Sequence, residues 1–262
     1  MNNKDLIHYI VIMVITLLCS VSISCSSDDD KSNEDNVLAG RKIVKLLFIQ
    51  KEYTGTFSFS YDTSGKISQI SDYYDNHISY FYAGEAISWS CGEGTFVAYL
   101  ADGKAKNMSM QESSFTYDSK GRISELNTKE WDQILRITWD GHNISKIERF
   151  EYDGTLIEKT EYSYTNHKAY MLSYLNYFNP FTEFDFLDCL YEAALFYTGA
   201  CGVLSQNLPD KAKFWNKYYG EAIRTYKYQL DSFGYPVSVS IDGEGYDYDF
   251  YGYPVNIAIT WE

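Results

Sequence analysis

The chain repeats a short hairpin pattern along most of its length. Phe57 to Ile67 reads Phe-Ser-Phe-Ser-Tyr-Asp-Thr-Ser-Gly-Lys-Ile, and Phe115 to Ile123 reads Phe-Thr-Tyr-Asp-Ser-Lys-Gly-Arg-Ile. Weaker copies follow at intervals of about 20 residues, a period typical of stacked supersecondary units. The residues that close the successive strands are Tyr61, Tyr82, Leu100, Tyr117, Trp139 and Tyr164.

The residue types of each hairpin explain how the chain reverses direction. Aromatic residues alternate with Ser, Thr or charged residues, which gives each strand one apolar and one polar face. Asp62 is placed to accept backbone N–H bonds and start a turn. Gly65 then supplies the left-handed conformation that closes such a hairpin, and Ile67 begins the return strand.

Consecutive hairpins of this kind predict an all-β, antiparallel, up-and-down meander of about fourteen to sixteen strands. Because open twisted sheets rarely exceed about ten strands, such a sheet must curl into a barrel-like fold or close on itself. A transmembrane barrel is an alternative, since residues 255–261 alternate like a membrane strand. Most strands, however, read as about five to eight residues, below the roughly nine to eleven needed to span a bilayer.

One segment departs from the hairpin rhythm. Thr182 is a candidate helix cap, and apolar residues from Phe184 to Leu195 recur at helical spacing. A second short helix is predicted over Asp210 to Tyr218. Residues 180–218 are therefore predicted to form a helical insertion that covers part of the apolar face of the sheet or plugs an open end.

The N-terminus predicts a lipid anchor. An apolar run, Tyr9 to Leu18, is followed by small residues and then by Cys25, the order found in lipoprotein signal peptides. This interpretation divides the chain into a signal peptide (1–24), an acylated, disordered acidic tether (25–40) and one β domain (41–262). A cleaved signal without lipid and an uncleaved anchor remain alternatives.

The Ser-Ser-Asp-Asp-Asp run after Cys25 resembles the acidic signal that exports Bacteroidota lipoproteins to the exterior of the outer membrane. The resemblance implies a protein held in the outer membrane by lipid and facing the cell exterior; a solvated acidic linker is the alternative. The formal net charge of −14 disfavours nucleic acid as a partner. Neutral glycans, cations and basic proteins remain candidate partners.

Three cysteines remain in the mature chain, which allows at most one disulfide bond. They are Cys91, Cys189 and Cys201. If residues 183–201 form one helix, Cys189 and Cys201 are separated by about 18 Å along its axis, too far for a bond. Buried thiols are therefore the expectation.

The Tyr-Asp-x-x-Gly-Lys/Arg-Ile hairpins resemble the YD repeats of RHS and teneurin-type shells, which are far larger. The chain is more similar to a Bacteroidota surface lipoprotein family of unknown function with a porin-like fold. That family shares the signal, the hairpins and a central interruption like Leu195 to Gly199 and Gln206 to Pro209. The resemblance implies a closed or nearly closed antiparallel barrel, and it supplies no catalytic residues.

No catalytic or cofactor motif is present in the sequence. There is no His-Glu-x-x-His motif, Cys-x-x-Cys pair or Gly-rich phosphate loop. The mature chain has His77, His142 and His167, each near a predicted loop. The densest acidic cluster is a candidate Ca²⁺ site, with a solvated turn as the alternative. Its members are Asp242, Glu244, Asp247 and Asp249.

The aromatic content is the strongest functional indication. The chain has 26 Tyr and 5 Trp residues, and aromatic faces stack on sugars while Tyr adds a hydroxyl group. The alternative is that these residues only line the sheet. The candidate ligand-binding residues are Tyr80, Tyr82, Trp89, Tyr246 and Tyr248.

The sequence thus favours a lipid-anchored, non-catalytic binding protein of the outer membrane, with a glycan or an envelope protein as its partner. A structural component of an envelope complex without a small ligand is the second hypothesis. An enzyme whose site is scattered through the sequence is the third.

Overall fold

The computed structural model arranges sixteen antiparallel strands in chain order around a closed barrel. The strands are β1 (Ile43–Ile49), β2 (Thr54–Tyr61), β3 (Ile67–Ser71), β4 (His77–Ala83), β5 (Ala86–Cys91), β6 (Gly94–Ala101), β7 (Lys104–Met108), β8 (Ser114–Tyr117), β9 (Ile123–Thr128), β10 (Gln133–Asp140), β11 (Asn143–Glu151), β12 (Leu156–Lys168), β13 (Asn207–Asn216), β14 (Gly220–Leu230), β15 (Pro236–Gly245) and β16 (Val255–Trp261).

The structure describes residues 41–49, 54–71, 77–91, 94–109, 112–129, 132–169, 195, 197–202, 205–245 and 254–262. They belong to one compact unit, Arg41–Glu262. The predicted signal peptide and tether, with Cys25, lie outside the described residues. The first predicted helix lies there too, except for its last residue, Leu195. No helix among the described residues is long and apolar enough to cross a bilayer.

Pairing of the first and last strands closes the barrel. Leu46 of β1 is opposite Ile259 of β16. Beyond them, the Lys42 and Glu262 backbones exchange two hydrogen bonds, of 2.7 and 2.8 Å. The predicted all-β, up-and-down barrel is therefore confirmed, and its closure, which the sequence left open, is complete.

The predicted helix over Asp210 to Tyr218 is wrong, because this segment belongs to β13 and the turn that follows it. Phe214 is opposite Thr160 of β12 and Ala222 of β14, so β13 is paired on both sides. Ala212 is fully buried while Lys213 is exposed, an alternation of period two that a helix cannot satisfy.

The barrel is apolar inside and polar outside. Inward side chains such as Ile70, Ile123 and Ile257 are at most 1% exposed and belong to one continuous core cluster. The outward positions between them carry mostly Ser, Thr, Lys and Glu. A barrel that spans a membrane presents an apolar band to lipid, so the described strands have the reverse polarity.

Aspartate turns connect strands at one end of the barrel, here called the turn end, where β1 also begins and β16 ends. In the β2–β3 turn an Asp62 carboxylate oxygen accepts hydrogen bonds from the backbone N–H groups of Ser64 (2.8 Å) and Lys66 (3.0 Å). Gly65 closes this turn with a φ of 85°. Asp118 and Asp231 make the same pair of bonds in their own turns.

Aromatic side chains brace neighbouring hairpins to one another near the turn end. Each brace is a hydroxyl or indole N–H that donates to the carbonyl oxygen of a residue at or near the start of a nearby strand. The pairs are Tyr61 with Ile43, Tyr82 with Ile67, Tyr117 with Ala105, Trp139 with Ile123, Tyr164 with Ile144, and Trp261 with Pro236. Lysine or arginine lies over several of these rings, as Lys66 does over Tyr82 at 4.8 Å.

The described end of the β12–β13 connection packs into the core at the turn end. Leu195 and Cys201 are at most 1% exposed. The backbone N–H of Ala105 donates to the carbonyl of Ala200 at 2.7 Å, and Gly202 forms an isolated bridge with Arg122. The Cys201 thiol is buried, as the sequence predicts.

Candidate functional site

Two of the predicted ligand-binding aromatics are core residues. Tyr80 of β4 and Trp89 of β5 are cross-strand partners, 5% and 1% exposed. The Trp89 ring stacks on Phe96 of β6, with centroids 5.9 Å apart. Neither side chain presents a ring face to solvent, so aromatic surface for a ligand has to come from other residues.

Tyr82, the third predicted residue, serves as one of the braces. Its hydroxyl donates to Ile67 at 2.9 Å and the Lys66 ammonium lies over its ring. Burial raises the pKa of the Tyr82 hydroxyl to about 12. The remaining predicted aromatics, Tyr246 and Tyr248, lie outside the described residues.

The predicted acidic cluster is only partly within the described residues. Asp242 and Glu244 are exposed on β15, and an Asp242 carboxylate oxygen accepts a 3.0 Å bond from the N–H of Gly243. Asp247 and Asp249 lie outside the described residues. Within the part of the chain that the structure describes, no three His, Cys, Asp or Glu side chains are grouped to hold a metal ion.

The described histidines, His77, His142 and His167, are all exposed. Among the described residues, the Asp and Glu side chains whose pKa departs from the usual value belong to turns or exposed ion pairs. The pKa of Asp62, for example, is lowered first by the hydrogen bond from the Ser64 side chain. These shifts follow from hydrogen bonds in turns and from surface ion pairs, so they do not point to a catalytic cleft.

The outward side of β2 to β6 forms a surface without Asp, Glu, Lys or Arg among its described residues. We call it the neutral face. Its outward residues are Thr56, Ser58, Ser60, Gln69, Ser71, His77, Ser79, Phe81, Ala83, Ala86, Ser88, Ser90, Thr95, Val97, Tyr99 and Ala101. In a chain with a net charge of −14, the outward positions of five adjacent strands thus carry only hydroxyl, amide, aliphatic or aromatic side chains and one histidine.

Two exposed aromatic side chains stand on the neutral face. Phe81 on β4 is 61% exposed and Tyr99 on β6 is 50% exposed. Between them, β5 contributes only small side chains: Ser88 is opposite Phe81, and Ala86 is opposite Tyr99. Because adjacent strands are about 4.8 Å apart, the two rings flank a shallow strip about 10 Å wide.

The neutral face can accept a ligand that carries many hydroxyl groups and no charge. The rings of Phe81 and Tyr99 offer apolar faces, and Ser79, Ser88 and Ser90 have hydroxyl groups that both donate and accept hydrogen bonds. The backbone beneath is fixed by ladders on both sides of each strand, so a ligand would meet a preformed surface.

Two solved structures share the architecture of this barrel. One is a porin-like protein from Bacteroides uniformis, with a TM-score of 0.60 and 14% identity, covering 84% of this chain and 98% of that chain. The other is a porin-like protein from Bacteroides vulgatus, with a TM-score of 0.55, 14% identity and the same coverage. The likeness is one of fold.

This likeness confirms the porin-like fold that the family resemblance implied. It assigns no ligand or activity to the chain, because identity this low reports on the fold alone. No protein-family model and no curated protein match the chain.

Proposed function

We propose that this protein is a lipid-anchored, non-catalytic binding protein of the outer membrane that holds a neutral polysaccharide on its neutral face. The observation that carries the proposal is the exposure of Phe81 and Tyr99 on a surface without charged side chains. Isolated exposed aromatics need no explanation. Phe81 and Tyr99, however, lie on either side of the small residues Ala86 and Ser88, and together they form a surface on which a sugar chain can lie.

The charge distribution supports a neutral ligand. A chain with a net charge of −14 repels polyanions over most of its surface. A neutral polysaccharide meets no such repulsion, and on the neutral face it displaces water from hydroxyl groups without desolvating an ionised group. The extent of the face over five strands suits an extended chain of sugars better than one monosaccharide.

Anchoring through Cys25 is part of the proposal. The barrel begins at Arg41, so residues 25–40 would connect the lipid to the first strand. Sixteen extended residues reach about 55 Å, enough to let the barrel bind material beyond the membrane surface. In this proposal the barrel faces the cell exterior, where its neutral face can reach polysaccharides outside the cell.

Affinity electrophoresis tests the ligand class directly. The acidic protein migrates in a native gel, and a neutral polysaccharide cast into the gel slows it only if it binds. We expect retardation by at least one neutral polysaccharide and a loss of about tenfold in affinity for the double variant Phe81→Ala/Tyr99→Ala.

The matched control is Tyr218→Ala/Phe233→Ala, which removes two aromatic side chains, 67% and 54% exposed, from turns outside the neutral face. Retardation that is equal in both double variants would contradict the proposed site. No retardation across a broad panel, together with capture of an envelope protein that Phe81→Ala weakens, would favour the scaffold hypothesis instead.

A further inference from the structure

A second surface feature lies on the outer side of β12 to β15. It is a groove of about 490 Å³ lined mostly by residues whose side chains point away from the barrel interior. Trp215 and Ile223 are its outward apolar members, and Phe214 and Ala222 also line it. Five charged residues surround them: Lys159, Glu161, Lys213, Glu221 and Glu244. We call this feature the Trp215 groove. It is separate from the neutral face, which occupies β2 to β6.

Trp215 differs from the other described tryptophans. Trp89 is buried, and the indole N–H groups of Trp139 and Trp261 donate to the carbonyls of Ile123 and Pro236 at 2.8 and 2.7 Å. Trp215 is partly exposed, and no described residue accepts a hydrogen bond from its indole. No Lys or Arg among the described residues lies over its ring. Trp215 therefore lines the groove with no described partner for its ring face or its N–H.

The charges around Trp215 are unevenly arranged. Lys159 is directly opposite Trp215 and pairs with Glu161 at 3.4 Å, and Glu161 is in turn opposite Lys213, so both lysines of the groove lie on its β12–β13 side. On the other side, Glu221 is directly opposite Trp215 and Glu244 is directly opposite Ile223. Two carboxylates therefore border the aromatic floor where no described cation pairs with them.

Elsewhere in the chain, arginine side chains are held between an aromatic ring and a carboxylate. The Arg122 guanidinium lies over the Trp139 ring at 4.8 Å and pairs with the Asp118 carboxylate at 2.6 Å. At another hairpin, Arg41 lies over the Tyr235 ring at 5.0 Å and pairs with Asp231 at 2.6 Å. In both cases an aromatic ring and a carboxylate hold one guanidinium.

We propose that the Trp215 groove binds an arginine side chain from a basic segment of a partner protein. The guanidinium stacks on the Trp215 indole and its N–H groups donate to Glu221 and Glu244, as Arg122 does with Trp139 and Asp118. Arginine suits this site because its planar group can stack and donate to carboxylates at once. The net charge of −14 steers a basic partner toward the barrel.

Fluorescence anisotropy with the purified full-length protein tests the inference. The probe is a labelled Gly-Arg-Gly-Arg-Gly peptide, and its control is the same peptide with citrulline, which has the shape of arginine without its charge. We expect the arginine peptide to bind more weakly as salt rises and the citrulline peptide to bind at least tenfold more weakly. Equal binding of the two peptides would overturn the inference.

Variants assign the binding to the groove. Trp215→Leu should lower the affinity for the arginine peptide about tenfold, and Trp215→Phe should lower it less. The double variant Glu221→Gln/Glu244→Gln should lower it as much as Trp215→Leu does. Glu85→Gln/Glu125→Gln is the control of equal charge change outside the groove. The inference fails if this control loses as much affinity, or if Trp215→Leu retains full binding with an unchanged thermal midpoint.

The outcomes are separable from those of the proposed function. Variants of Phe81 and Tyr99 should leave peptide binding unchanged, and Trp215→Leu should leave polysaccharide retardation unchanged. If a neutral polysaccharide retards the unmodified protein but not Trp215→Leu, the groove binds sugar and the arginine inference is overturned.

Discussion

The Tyr82 hydroxyl donates a hydrogen bond to the backbone carbonyl of Ile67 at 2.9 Å, across two hairpins of the repeat. Ile67 begins the return strand of one hairpin, and Tyr82 is the penultimate residue of the outgoing strand of the next. Lys66, next to Ile67, lies over the Tyr82 ring. The Tyr, Gly-Lys and Ile positions of the motif therefore act between hairpins, which explains why they recur together.

Removing one brace should destabilise the barrel without changing its fold. Tyr82→Phe keeps the half-buried ring but leaves the Ile67 carbonyl without this donor, which costs about 1 kcal/mol of unfolding free energy. Denaturant unfolding measures the loss. Tyr99→Phe, which removes an exposed hydroxyl from the neutral face, should have no effect on stability; an equal loss in both variants would show that Tyr82 is not a brace.

The aspartate turns predict a difference between two substitutions at one position. Asp62→Ala removes the acceptor for the backbone N–H groups of Ser64 and Lys66, so the denaturant midpoint should fall. Asp62→Asn keeps a side-chain oxygen in the same place and should retain most of the midpoint. If both variants lose the same stability, the carboxylate charge rather than the turn geometry is what stabilises this hairpin.

Alkaline pH should unfold the barrel through its tyrosines. Burial raises the pKa of Tyr61 and of Tyr82 from 10.0 to about 12. The unfolded chain then loses these protons first, so the stability they contribute is complete below pH 10 and lost between about pH 10 and 12. Unfolding followed by circular dichroism across this range should show a shallower loss in Tyr61→Phe/Tyr82→Phe. An unchanged slope would contradict the assignment.

The sequence predicts the barrel well because its signals are local. The Asp62 turn, the Gly65 conformation and the alternation of each strand lie within a few residues of one another, and each reappears in the structure. The error at β13 has a local cause as well. Phe214 and Trp215 are adjacent apolar residues on opposite faces, which interrupts the alternation that would have indicated a strand.

The candidate surfaces depend on which face a residue occupies, and this is harder to predict. The β4 segment His-Ile-Ser-Tyr-Phe-Tyr-Ala has aromatic residues on both faces, so aromatic content does not separate buried Tyr80 from exposed Phe81. The neighbours do separate them, since Ile78 shares a face with Tyr80 and Ser79 shares one with Phe81. The Trp215 groove depends on the register of four strands, which no local pattern specifies.

The β12–β13 connection should depend on one glycine at its contact with the β8–β9 turn. Gly202 has a φ of 85°, and a Cβ added there would lie 2.8 Å from the carbonyl oxygen of Gly121 and 3.4 Å from the Tyr117 ring. Gly199, with a φ of 76°, has open space around the same position. Both Gly→Ala variants carry the backbone cost of a positive φ, and only Gly202→Ala adds the clash.

We therefore expect Gly202→Ala to lose about 2 kcal/mol more unfolding free energy than Gly199→Ala. Cys201 gives a second readout, because it is buried when the connection is docked. Its thiol should react faster with a thiol reagent in Gly202→Ala than in Gly199→Ala, in a Cys91→Ser/Cys189→Ser background. Equal stability and equal reactivity of the two variants would mean that docking of the connection does not depend on the short distance between Gly202 and the Gly121 carbonyl oxygen.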